Sequence, residues 1–394
     1  MADNKDKKVL NVPALRFPEF SREWKRHKLS EICSFYSGGT PSSSKKEFYN
    51  GNIPFIRSGE LHKDKTELFI TEDGLNSSAA KLVEIGDLLL ALYGATSGDI
   101  AISKIKGAIN QAILCIRTKQ NKKFIESVWN KHVERLLQTY LQGGQGNLSA
   151  DIVKNIPFYF ADLEEQDKLA NFISLLDERI STQNKIFAKL ETLIKGFVDS
   201  IFTANKFPKV PFKEIYVRAG EGGTPATSNP EYYDNGTIPF IKIDDLQNKY
   251  IKTNKDCITE LGLQKSSAWI VPANSIIYSN GATIGAISIN LFPVCTKQGI
   301  LGVVPKADIN VEFLYYFMTS TAFTKAVERI VTEGTMRTAY LKDINHIPCP
   351  VPYPVKQDEI AKMLSTLSEK LENEVIFQMK LQKQKEFLLS QMFI

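Results

Sequence analysis

The chain has 394 residues, enough for two or three domains that each bury a core. Its 43% hydrophobic and 24% charged residues match an ordinary globular protein and exclude wholesale disorder. No apolar run approaches the roughly 18 residues of a membrane span, and a net charge of +5 permits a polyanionic partner without demanding one.

The charged start, residues 1–8, lacks the apolar segment of a secretory signal, so the cytoplasm is the expected location. Cys33, Cys115, Cys257, Cys295 and Cys349 are scattered, with no C-x-x-C pair. They support neither a disulfide framework nor a zinc site. Gly38-Gly39-Thr40-Pro41 reads as a turn, because glycine allows positive φ and proline fixes the exit. The free N–H and hydroxyl groups of such a loop also suit a phosphate, and the two roles can coexist. The apolar runs 85–93 and 112–116 read as buried strands. The first leads into Gly94-Ala95-Thr96, small residues that either turn tightly or let a backbone approach a ligand. Helical periodicity covers 123–141. Gly143-Gly144-Gln145-Gly146 has no clear preceding strand and no basic residue, and reads as a flexible loop.

From 163 to about 202 the pattern becomes one long helix. Ile173, Leu176, Ile180, Gln183, Phe187, Leu190, Ile194, Phe197 and Ile201 alternate by three and four, the heptad seam of a coiled coil, with Gln183 placed to pin its register. A helix packed on its own domain is the alternative reading of the same spacing.

The chain then repeats itself at an offset of about 190 residues. Gly-Gly-Thr-Pro returns at Gly222-Gly223-Thr224-Pro225, and Asn50-Gly51-Asn52-Ile53-Pro54-Phe55-Ile56 returns as Asn235-Gly236-Thr237-Ile238-Pro239-Phe240-Ile241. Ser77-Ser78-Ala79 matches Ser266-Ser267-Ala268, Gly94-Ala95-Thr96 matches Gly281-Ala282-Thr283, Gln111 matches Gln298, and Ile156-Pro157 matches Ile347-Pro348. Strands are expected at 275–278 and 299–304 and a helix over 311–330. Gln166-Asp167 matches Gln357-Asp358, which opens a second long helix from about 356 carrying Leu364, Leu367, Leu371, Leu381, Leu388 and Met392 on its seam. Glu374, Gln378 and Lys385 also fall on that seam, so either the register shifts toward Val375 or this end meets a different partner.

Two copies are too few for a solenoid. The order is domain (1–160), helix (161–205), domain (206–350), helix (351–394). The expected fold class is α+β: two pseudo-symmetric mixed α/β domains separated by two long helices that form an antiparallel coiled coil. A helix of about 40 residues spans about 60 Å. Such a pair could act as a spacer for a ligand that carries similar information twice, as DNA does when it presents one groove face every 34–36 Å or so.

These words resemble a known family. Leu15-Arg16-Phe17-Pro18-Glu19-Phe20, then Trp24 and Lys28-Leu29-Ser30-Glu31-Ile32, lead into a first domain with Gly-Gly-Thr-Pro and Ile-Pro-Phe-Ile words. The junction runs from Ile156-Pro157 through Glu165-Gln166 to Leu175-Leu176-Asp177-Glu178. Together they resemble the specificity subunits of type I restriction-modification systems over nearly the whole chain. The second junction is looser: Glu165 becomes Lys356 and Asp177 becomes Ser368, while Asp358-Glu359-Ile360-Ala361 keeps the pattern. The resemblance implies a non-catalytic subunit with two target-recognition domains that binds double-stranded DNA at a bipartite site, in defence against foreign DNA. It implies two methyltransferase subunits that use S-adenosylmethionine on adenine, and restriction subunits that use ATP and Mg; this chain itself would bind none of these cofactors. The helices would set the spacing and dock the methyltransferases.

Catalytic words are missing. There is no Asn/Asp-Pro-Pro-Tyr/Phe for base methylation and no phosphate-binding P-loop. His27, His62, His132 and His346 have no metal-ligand spacing, and acidic-x-Lys triplets such as Glu23-Trp24-Lys25 arise by chance. A self-contained methyltransferase or nuclease with an unrecognised site, and a structural protein that dimerises through its heptads, remain as the alternatives.

The repeat also sorts candidate DNA contacts. Positions shared by both halves cannot distinguish two half-sites, so Thr40 and Thr224, Thr96 and Thr283, and Gln111 and Gln298 are scaffold or phosphate candidates. Positions that differ in the same loops are candidates for base reading. These are Ser42, Ser43, Ser44, Lys45 and Lys46 against Ala226, Thr227, Ser228 and Asn229, and Arg57 and Ser58 against Lys242 and Ile243. Gln145, Asn147, Thr335 and Arg337, in polar loops before the long helices, complete the set.

Overall fold

The computed structural model describes residues 10–140, 147–204, 207–281, 283–331 and 337–394. The chain divides into two compact units, Met1–Gln183 with Phe377–Ile394, and Asn184–Ile376.

In the first unit, Cys33–Ser37, Ile113–Thr118, Leu88–Ala91 and Ile100–Ile102 form, in that order, an antiparallel sheet. Leu88–Ala91 is buried on both faces, which is why it reads as an unbroken apolar run rather than an alternating one. A second sheet orders Phe69–Ile70, Tyr49–Ile56, Gly107–Ile109 and Lys81–Val83, with the middle pair parallel. Lys25–Lys28 pairs antiparallel with Pro157–Phe160. The helix Lys122–Tyr140 buries Phe124, Ile125, Val128 and Trp129, and the Trp129 indole donates to Gly98 O at 2.7 Å.

The second unit repeats this plan. Tyr216–Glu221, Ile300–Pro305, Ile276–Ser279 and Ile287–Asn290 stand in the same order, extended by a short parallel strand, Tyr250–Ile251. Asp256–Ile258, Ile238–Ile241 and Cys295–Thr296 form the smaller sheet, and Lys209–Pro211 pairs with Pro348–Pro350. One expected element is corrected. Residues 311–330 are two helices, Val311–Thr319 and Thr321–Ile330, because Ser320 takes an extended backbone and its hydroxyl accepts from Phe323 N. Asp199 accepts from both Thr321 N and Thr321 Oγ1 at 2.7 Å, capping the new start.

Each domain hands over to its long helix through the same clasp. The central helix is Leu163–Thr203, with Glu164 and Glu165 in its first turn; the distal helix is Pro354–Met392, opening on a proline that needs no N–H there. In the first unit the Gln166 side chain accepts from Asn121 N at 3.1 Å and donates to Ala161 O at 2.7 Å, while Asp167 accepts from the Asn121 amide at 2.7 Å. In the second, Gln357 accepts from Asn310 N at 2.9 Å and donates to Pro352 O at 2.8 Å, while Asp358 accepts from the Asn310 amide at 2.7 Å. Both asparagines also cap the helix they precede, through Phe124 N and Phe313 N.

The two junctions differ where the sequence differs. Arg16 holds Glu165 with two bonds of 2.7 Å, and the Trp24 indole adds a third at 3.1 Å. Among the described residues the matching Lys356 pairs only with Glu359. Lys123 bridges Glu126 and Asp177, and Asp177 also binds Lys385 of the distal helix at 2.5 Å. In the second unit a buried Lys249 lies near Glu312 and Tyr316 and donates to Ser365 at 2.8 Å.

The long helices run antiparallel. In the first unit Leu169 and Ile173 share a core with Met392 and Phe393; in the second, Val198 and Phe202 share one with Ile360, Ala361 and Leu364. Ile173, Gln183, Leu364 and Leu381 are buried; Leu176, Ile180, Phe187, Leu190, Ile194, Leu367, Leu371 and Leu388 are half-buried. Phe197, expected on the seam, is instead 46% exposed, and Val198 is buried in its place. A straight α-helix drifts about 20° per heptad from a 3.5-residue repeat. After three heptads the buried face therefore steps by four, from Ile194 to Val198 to Phe202. Lys385, a charge on the distal seam, is accommodated by its bond to Asp177.

Candidate nucleic-acid interface

In both units the Gly-Gly-Thr-Pro word is a point where two segments of backbone touch. A Cβ on Gly38 would lie 1.8 Å from Ile109 O, and one on Gly222 would lie 1.8 Å from Thr296 O. Gly39 and Gly223 press likewise on Ala79 and on Ser267-Ala268. None of the four has positive φ, so close approach, not the left-handed conformation, demands glycine here. Ala79, and Ser267-Ala268 in the repeat, are thus what the second glycine of each turn rests on.

That contact sets the following threonine against the repeated glutamine. Thr40 Oγ1 donates to Gln111 Oε1, and in the second unit Thr224 Oγ1 accepts from Gln298 N at 3.3 Å. Two pairs of shared words, far apart in sequence, meet at equivalent corners. Beyond each proline the loop is tied at its base by a tyrosine the sequence reading did not single out: Tyr49 donates to Pro41 O at 2.6 Å and Tyr233 to Pro225 O at 2.5 Å. The equal eight-residue spacing was the available signal.

The differing residues ride on these anchored loops. Ser42, Ser43, Ser44, Lys45 and Lys46 are exposed, as are Thr227 and Ser228, while Asn229 is half-buried. Lys45 Nζ lies 4.9 Å from the Phe48 ring centre. Arg57 and Lys242 are less available. Arg57 binds Glu60 at 3.0 Å and Glu67 at 3.2 Å, and Lys242 binds Asp256 at 2.8 Å. Ser58 is half-buried next to Arg57. Glu60 is itself 3% exposed. Burial alone would raise its pKa, but the hydrogen bonds and charge of Arg57 and the Thr66 hydroxyl outweigh this and hold it at about 2.

Thr96 lies between Gly94 and Gly98, both at positive φ, so this word is a tight turn. Its counterpart Thr283 is exposed at the mouth of a cleft of about 350 Å³ that Glu328 and Arg337 also line. Asn147 is exposed beside Leu148, whose N–H donates to Leu92 O at 2.7 Å; Ala339 N donates to Asn280 O at 2.9 Å in the same way. Each loop thus returns to the end of a central strand. Gln145, Thr335 and Ala282 lie outside the described residues. Among the described residues no cluster of histidine, cysteine or carboxylate could hold a metal ion, and no helix is long and apolar enough to cross a membrane.

The model of the type I restriction modification DNA specificity domain matches this chain twice, at residues 21–192 and 209–380. The MjaIX type I specificity subunit of Methanocaldococcus jannaschii is 24% identical, over 93% of this chain and 92% of its own length. The crystal structure of a type I S subunit from M. genitalium covers 97% of this chain and 99% of itself, with a TM-score of 0.59 at 15% identity. A chain from structural work on complex assembly in a type I restriction-modification system covers 93% and 96%, with a TM-score of 0.60 at 15% identity. The last two likenesses concern the fold. With both halves matched by one DNA-specificity model, the chain belongs to the family of type I restriction-modification specificity subunits, which recognise DNA and are not themselves catalysts.

Proposed function

We propose that this chain selects a bipartite DNA target for two methyltransferase subunits, and for restriction subunits that join them. Residues 1–160 and 206–350 each read one half-site; 161–205 and 351–394 form the helices that set the spacer and receive the methyltransferases. The methyltransferases supply adenine methylation from S-adenosylmethionine, the restriction subunits supply ATP- and Mg-dependent chemistry, and the assembly works in the cytoplasm. One observation carries the reading: the repeated threonine meets the repeated glutamine at the equivalent corner of both units, through the Gln111 side chain in one and the Gln298 backbone in the other, with different polar loops mounted on it. A shared frame with unlike tips is what two unlike half-sites on a common phosphate backbone require.

In this arrangement Thr40, Thr224, Thr96, Thr283, Gln111 and Gln298 meet phosphates or hold the frame. Ser42 to Lys46, Thr227 to Asn229, Asn147 and Arg337 face the bases. Arg57 and Lys242 contribute only where DNA displaces their carboxylate partners. The test is co-expression with the methyltransferase partner in a host lacking the system, followed by single-base mapping of methylated adenine. A split motif that appears only when this chain is present supports the proposal. Methylation at no split motif overturns it, and turnover by the purified chain alone would favour a self-contained enzyme.

A further inference from the structure

At the end of the strand Tyr216–Glu221, next to Gly222, the second unit holds a carboxylate that the first lacks. Glu221 Oε1 accepts from the Asn280 side-chain amide at 2.6 Å. Asn280 is fully buried; its amide also donates to Ala339 O at 3.1 Å, and its Oδ1 has no hydrogen-bond partner among the described residues. A buried asparagine held this way fixes the direction of the acid it binds. By strand register, and not by the Gly-Ala-Thr words that would pair Asn280 with Tyr93, the equivalent positions in the first unit are Ser37 and Leu92. Ser37 and Leu90 both face Leu114 as Glu221 and Tyr278 both face Leu301, and Leu92 N–H bonds Ala112 O as Asn280 N bonds Gly299 O. The pair is therefore absent from the shared frame and present in one half only.

Its position is the corner already described. Thr224 and Gln298 meet there, Lys297 is exposed beside them, and Ala339 links Asn280 to the segment carrying Arg337. The Glu221 oxygen not bound by Asn280 accepts no hydrogen bond from a described residue, and the side chain is half-buried, not withdrawn. A carboxylate repels phosphate, so it adds nothing to backbone affinity. It can accept only from an amino group at a base edge, and it rejects an edge that presents a carbonyl oxygen.

Resting on the function proposed above, we infer that Glu221 is a specificity-determining residue of the second half-site. It accepts a hydrogen bond from the exocyclic amino group of a cytosine or adenine, and Asn280 acts as its positioning residue. Selection is as much exclusion as attraction: guanine and thymine would set O6 or O4 against a fixed carboxylate.

The experiment uses the full complex with its methyltransferase subunits and maps methylated adenine genome-wide for the wild type, Glu221→Gln, Glu221→Ser and Asn280→Leu. The last two place at each site the residue the first unit has there. Discrimination at one base position of one half-site is expected to fall by about tenfold in all three variants, while the other half-site and the spacer stay unchanged. The base preferred by the wild type at that position distinguishes cytosine from adenine. An unchanged motif in Glu221→Gln overturns the inference. So does equal relaxation in both half-sites, or loss of folding in both Glu221 variants, since each would make the carboxylate structural. If the wild-type complex methylates no split motif, the functional reading falls instead.

Discussion

Glu60 shows how much one side chain can organise. The Arg57 backbone and guanidinium, the Thr66 hydroxyl and Glu67 N all donate to it, and this fixes the loop that follows the strand Tyr49–Ile56. Its folded pKa of about 2 lies below the ordinary 4.5. The stabilisation is therefore fully present above about pH 4.5 and is lost as the pH falls from there toward 2. Urea unfolding at pH 7, 4 and 3 is expected to show an acid-dependent loss of about 2 kcal/mol by pH 3 that Glu60→Gln largely removes. An equal acid slope in the variant would show that other carboxylates carry the effect. The same geometry explains why Arg57 looked like a base reader: an arginine after a strand in a polar loop has that signature, and only the fold shows two carboxylates beside it.

Among the elements, the long helices depend on their junctions and their register. Gln357 is 1% exposed and serves Asn310 N, Asp308 O and Pro352 O together. Gln357→Ala leaves these groups without their partner, and thermal unfolding is expected to show a cost of about 2 kcal/mol or more. Hydrogen exchange should rise over the first turns of Pro354–Met392, whereas a cost within about 0.5 kcal/mol would mean the clasp is incidental. The register is tested by a pair of variants. Phe202 packs on Phe313 and Phe317 at centroid distances of 5.2 and 5.5 Å, so Phe202→Ala is expected to cost about 3–5 kcal/mol. Exposed Phe197→Ala should stay within about 0.5 kcal/mol in the isolated chain. The reverse order would restore the uninterrupted heptad.

For the molecule as a whole, repetition is carried by the same joints in both units. Phe393 packs on Phe124 at 5.4 Å as Phe202 packs on Phe313 at 5.2 Å, so each domain core closes over the tip of one long helix. If the helices set the spacer, adding one heptad to each at matched positions keeps the seam and adds about 10 Å of rise. The methylated motif is then expected to gain about three base pairs between unchanged half-sites. A motif with its original spacer would show that the helices do not measure it. Binding by the complex should also weaken steeply with salt, through counterion release at phosphates.

The sequence by itself determined the architecture class, the doubling and the presence of both long helices. These are local or periodic properties: apolar runs, the alternation of three and four, and words repeated in order. It also marked Thr40, Gln111 and Gln166-Asp167 with their counterparts as repeated words, but not that the threonine meets the glutamine or that Gln-Asp closes a clasp. It could not show that Asn121 and Asn310 are what the clasp holds, nor that Arg57 and Lys242 are already paired. It also could not show that Glu221 meets Asn280, 59 residues away, at the end of another strand. Tertiary structure alone decided these points, because a hydrogen bond or ion pair depends on distance in space, and a side chain's partners leave no periodic mark along the chain.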